Sequence, residues 1–181
     1  MPTTLPLDHG RFFGGLTLDA YIDVAQKNQE FWRAVYRTAR VPEDLAARAR
    51  AVPGEWHVLA LSEDWCGDAV NSVPVISRLC EMIPGAHLRV LGRDANPDLM
   101  DTHMTRGTRS IPVVMVFDAG FVEQGWWGPR PRLLQEWFLE EGTLLEKADR
   151  SRRMREWYAR DRGRSAQEEV LSLVEAAASN G

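Results

Sequence analysis

Two short, mostly apolar runs, WHVLALS at 56–62 and HLRVLGR at 87–93, enclose a longer segment, DAVNSVPVISRLCEMI. In that segment Val70, Val73, Ile76, Leu79, Cys80 and Ile83 fall on one broad helical side. Apolar runs of this length that end in charged bends predict strands buried on both faces, and the longer periodicity predicts a helix. Strand, helix, strand in succession implies a parallel pair joined by a right-handed crossover. Pro74 falls inside the helix, where it removes a backbone hydrogen bond and bends the axis. NPDLMDTHM reads as a short helix with Asn96 as cap and Pro97 at its first position. IPVVMVFD (111–118) is a third strand, Asp118 to Gly120 a tight turn, and FVEQGWW a fourth strand antiparallel to the third. Trp126 and Trp127 then face opposite sides, one into the core and the other towards a groove or partner surface.

The flanks are helical. Thr17 caps a helix whose apolar positions, from Tyr21 to Tyr36, recur at helical spacing to about Arg40. PEDLAARARA follows, with Pro42 at the first position. After the strands come LLQEWFLEE from Arg132, a long charged helix beyond Gly142, and a final helix that a Ser165–Glu168 capping box would start. The predicted class is α/β, with a mixed sheet of about four strands and extra helices at both ends. With 181 residues, 44% of them apolar, the chain can bury one core. A single domain over 1–181 is expected, with its core at about 55–140 and helical extensions at 16–51 and 143–178.

A net charge of −4 provides no overall positive field for nucleic acid or an anionic membrane. One segment, KADRSRRMREWYARDRGR (147–164), has eight bases and three acids. Its spacing fits an amphipathic helix that docks through Leu144, Leu145, Ala148, Met154 and Trp157 better than a nucleic-acid site. The opening MPTTLPLDHGRFFGG lacks the charged and apolar pattern of a leader, and no stretch is apolar enough to span a bilayer, so a cytoplasmic location is expected. The four histidines are scattered without partners at ligand spacing, so no metal is expected. Cys66 and Cys80 are too few for a disulfide scaffold. On one helix they would stand about 21 Å apart, far beyond disulfide reach. Cys80 reads as a core residue.

Cys66 lies in SEDWCGDAV, at the start of the helix that contains Pro74. Unpaired amides and the positive end of the helix dipole favour a thiolate there, while Glu63, Asp64 and Asp68 oppose it, which leaves the net sign open.

WCGDAVNSVP, then RSIPVVMVFDAG, then Gly128 follow one another in an order and spacing that resemble the thioredoxin superfamily over about residues 55–140. The resemblance implies a three-layer sandwich with Cys66 as nucleophile. Trp65, Gly67, Asp68, Ile111, Pro112 and Gly128 would form the substrate groove, with Pro112 cis and facing the sulfur. Two departures stand out: Ala69 replaces the resolving cysteine, and Ala60 occupies the place of a buried acid that serves it. What remains implies monothiol exchange with protein or small-molecule disulfides, released by an external low-molecular-weight thiol and without a bound cofactor. The alternative is a redox-inactive adaptor or chaperone-like module that binds extended peptides beside Pro112.

Overall fold

Strands β1 (Trp56–Ser62), β2 (Ala86–Gly92), β3 (Val113–Phe117) and β4 (Glu123–Trp127) form one mixed sheet in the order β2-β1-β3-β4 in the computed structural model, which describes residues 7–181. The first part of the opening segment, residues 1–6, lies outside the described residues. β1 runs parallel to β2 and antiparallel to β3, and β3 is antiparallel to β4. Both the crossover and the return expected from the pattern are therefore present. Every residue of β1 and β3 is buried, and because successive side chains face opposite ways, both faces of the sheet centre are covered. β2 departs from expectation: it is an edge, and only Leu88 and Val90 are buried. Its outer side is partly covered by Leu16, whose amide and carbonyl bond those of Val90 at 3.0 and 2.8 Å.

The described helices before the sheet are α1 (His9–Gly14), α2 (Leu18–Val24), α3 (Gln29–Thr38) and α4 (Glu43–Arg50). Within and beyond it come α5 (Gly67–Met82), α6 (Pro97–Asp101), α7 (Arg132–Glu140), α8 (Lys147–Asp161) and α9 (Arg164–Ser179). α5 is the crossover helix, and α3, α4 and α9 pack on it, which buries it almost all round. Elsewhere, Phe12 and Phe13 of α1 meet the His57 ring edge-on at 4.9 and 5.7 Å. Arg11 forks onto Asp98 of α6 at 2.6 and 2.7 Å, tying these two short helices together.

Four local expectations are corrected. The helix expected from Thr17 to Arg40 is two, because the Asp64 carboxylate takes the amides of Gln26 and Lys27 at 2.7 and 3.0 Å and Asn28 turns left-handed at φ 54°. Asn96 does not cap α6 with its side chain; its amide donates to Gly92 O at 2.8 Å and its oxygen accepts from Arg11. The Ser165 capping box does not form either. The chain turns through left-handed Arg162 and Gly163, so α9 starts before Ser165, which bonds Asp161 instead. Finally, α8 is held by Tyr158, whereas Leu144 is 83% exposed and Ala148 is also exposed.

Trp127 is buried and donates to Glu169 at 2.6 Å, and Trp126 turns the other way to meet His103 edge-on at 5.5 Å. His103 is itself buried, with Nε2 2.8 Å from Glu123 and Nδ1 2.7 Å from Leu99 O. Burial pulls the His103 pKa down, but the bonds to Glu123 and Leu99 pull harder the other way, and the net shift is upward. Stability from this contact is therefore complete below the ordinary histidine value and is lost as pH rises through the folded value. Glu123→Gln is expected to cost about 1.5 kcal/mol at about pH 6 and clearly less at about pH 9. Urea unfolding at the two pH values checks this, and a cost that grows with pH would contradict it.

Candidate functional site

The bend between β1 and α5 is fixed from both sides before the cysteine is reached. Trp32, fully buried, donates its indole N–H to Asp64 O at 3.0 Å, and the Asp64 carboxylate holds the α2–α3 connection. Glu63 accepts the amide of Asp94 at 3.0 Å. Two of the three acids that the sequence places beside the thiol are thus engaged in backbone contacts of their own. Cys66 is the N-cap of α5, extended at φ −83° and ψ 113°, and its carbonyl takes the first helical bond from Val70 at 3.0 Å.

The sulfur faces the loop before β3. Ile111–Pro112 is a cis peptide, as the resemblance implies, and the Cys66 thiol donates to Ile111 O at 3.4 Å. Cys66 is 8% exposed. That burial pushes its pKa up, and the Asp68 carboxylate adds to the push. The amides of Ala69 and Asp68 and the charge of Arg130 work in the opposite sense without cancelling it. The sign left open by the sequence is therefore upward: at neutral pH Cys66 is a thiol.

Asp68 proves to be part of a buried cluster. Its carboxylate pairs with Arg130 at 2.9 Å, their side chains being 11% and 13% exposed, and accepts from Tyr158 Oη at 2.7 Å. Arg130 also donates to Gln135 Oε1 at 2.8 Å and lies 3.8 Å over the Phe138 ring. Burial pushes the Asp68 carboxyl above its ordinary range against the pull of Arg130 and Tyr158. Tyr158 is likewise pushed well up by its burial and by Asp68. Neither Arg130 nor Tyr158 stands out in the sequence, because both come from elements far along the chain from Asp68. The run GPRP at 128–131, a base between two prolines, is the only local sign.

A shallow groove of about 490 Å³ opens on the sulfur, lined by Trp65, Cys66, Asp68, Ser110, Ile111 and Arg130 among others. Of the residues named from sequence, Trp65, Cys66, Asp68 and Ile111 meet there, whereas Gly67, Pro112 and Gly128 do not line it. Trp65 is 51% exposed, with the Arg93 guanidinium 5.1 Å over its ring. Gly67 opens α5 with free space at its Cα, and Gly128 backs directly onto the Pro112 carbonyl. Gly128–Pro129 is a second cis peptide that the sequence did not announce. Ala69 and Ala60, the two departures from the pattern that the resemblance implies, are fully buried. Cys80 lies in the core, pushed up to about 12 by burial, and neither cysteine is bonded.

No described helix is long and apolar enough to cross a membrane. Among the described residues no group of three or more His, Cys, Asp or Glu is placed to hold a metal ion.

No curated protein matches the chain. Two solved structures share the fold. One is a protein of unknown function, PA1234, from Pseudomonas aeruginosa, with a TM-score of 0.75 at 19% identity over 94% of this chain and 99% of that one. The other is an HIV epitope scaffold, with a TM-score of 0.73 at 18% identity over the same shares. At such identities the likeness is one of architecture. Residues 15–151 match the Thioredoxin_9 family model, described as thioredoxin, and the chain belongs to that family.

Proposed function

We propose that the protein carries out monothiol thiol–disulfide exchange through Cys66. The observation that carries this reading is the sulfur at the first turn of α5, 3.4 Å from Ile111 O and open to the groove beside Trp65. In the first step Cys66 loses its proton and its thiolate attacks one sulfur of a disulfide. The old S–S bond breaks, a mixed disulfide forms on Cys66, and the departing thiolate takes up a proton. With Ala69 in the resolving position, an external low-molecular-weight thiol must attack the mixed disulfide, which regenerates Cys66 and yields a new disulfide. Because burial favours the thiol form, the first step is expected to quicken as pH rises past the ordinary cysteine value of about 8.5.

Glutathione disulfide should therefore place one adduct on Cys66, seen by intact mass, faster at about pH 9 than at about pH 7, and free thiol should remove it. Cys66→Ser should show no adduct, since Cys80 is sealed in the core. Absence of an adduct at the higher pH would overturn the reading.

The burial of Cys66 favours a second one, a redox-silent module that holds an extended peptide in the groove. For that role Cys66→Ser would bind its peptides as the native chain does.

A further inference from the structure

A larger concavity lies apart from the thiol. Between α3, α5 and α8 a groove of about 680 Å³ is walled by apolar groups of Phe31, Val35, Ala39, Val75, Tyr158 and Ala159. Arginines 40, 155 and 162 also line it, and its lining includes no acidic residue. Arg40 donates to backbone carbonyls of Arg37 and Ala39 at 3.0 and 2.9 Å. None of the three has a carboxylate partner among the described residues, whereas Arg48, Arg109 and Arg164 each hold one. In a chain of net charge −4 this is a local positive field over an apolar floor.

The volume lies inside the range of about 300 to 1,000 Å³ found for small-molecule sites. Guanidinium groups match a carboxylate in shape and charge. The helix ends at the groove are of both signs, Ala39 of α3 and Arg162 of α8 being C-terminal caps and Gly163 the N-cap of α9, so the arginines set its charge. An apolar floor beside guanidinium groups fits one kind of occupant. We propose that this groove binds a small amphipathic monoanion, an acyl-chain carboxylate, with its chain on the Val35–Val75 floor and its head at Arg155 and Arg162.

The site is independent of the exchange chemistry. Tyr158 presents its ring to the groove and its hydroxyl to Asp68, so Tyr158→Phe keeps the wall while cutting the link.

Titration calorimetry with dodecanoate below its micelle range tests the proposal. One-to-one saturation is expected, with dodecanol at least tenfold weaker. Arg155→Gln combined with Arg162→Asn, a residue suited to the left-handed position at 162, should weaken dodecanoate tenfold or more. Ala159→Trp changes an exposed helix position and should abolish saturable binding without altering the melting temperature. Equal binding of the alcohol, or dodecanoate binding indifferent to the 155/162 and 159 changes, would overturn the proposal. So would saturation by a Leu/Glu-rich helical peptide with none by dodecanoate, or a dimer abolished by Ala159→Trp; these would assign the groove to a protein partner or to a second copy.

Discussion

Arg130→Met is expected to destabilise the fold by about 3 kcal/mol at about pH 8, and by distinctly less at about pH 5. The loss does not measure the worth of the ion pair, since pairing two buried charges roughly offsets the cost of taking them out of water. It arises because Asp68, 11% exposed, would keep a charge with only Tyr158 Oη to meet it. Asp68 already has a folded pKa above its ordinary value, so its ionisation opposes folding as pH climbs through that value. Without Arg130 the folded value moves higher, and the added loss opens as pH rises from the native folded value towards the new one. Denaturant midpoints at the two pH values provide the test. The double variant Arg130→Met with Asp68→Asn should recover part of the loss, and if it is additive instead, the two side chains do not act as a pair.

The same substitution has a chemical readout. Arg130 is one of the groups that hold the Cys66 pKa down, so Arg130→Met should slow alkylation of Cys66 at neutral pH. Stability and thiol reactivity would then move together through one guanidinium. This couples the floor of the thiol groove to α7, where Phe138 and Gln135 hold that guanidinium in place.

Those couplings separate what the sequence discloses from what it conceals. β1 was legible to the residue because its run is locally apolar and ends at a charged bend, and α5 because its period survives Pro74. The cis bond at Ile111–Pro112 followed from the family pattern rather than from periodicity. The break between α2 and α3 was hidden because the acceptor that satisfies its amides, Asp64, belongs to another element. The edge position of β2 depends on strand order, which a run of apolar residues does not encode. Asp68 was visible as a charge near the thiol, but its partners are contributed by the loop after β4 and by α8, a matter of tertiary geometry. The place of Arg155 and Arg162, in the segment read as an amphipathic docking helix, was hidden for the same reason: α8 packs through Tyr158, and that choice leaves both arginines beside an apolar floor.

Gly128→Ala should be at least as damaging as Arg130→Met. Gly128 has φ 129°, in a region that side chains avoid, at a cost of about 1 to 3 kcal/mol for a residue forced there. In addition, a methyl group at this position would overlap the carbonyl oxygen of Pro112 and stand 3.2 Å from its carbonyl carbon. Backbone of β3 cannot retreat, because β3 is paired on both sides and fully buried. Overpacking against such a wall adds about 1 to 3 kcal/mol, so a total near 3 kcal/mol is expected. Displacement of the 128–130 segment would also carry Arg130 away from Asp68. Chemical denaturation of Gly128→Ala measures the first effect, and the alkylation rate of Cys66 in the folded variant measures the second. A variant as stable as the native chain would show that residue 128 has room that the close approach to Pro112 denies.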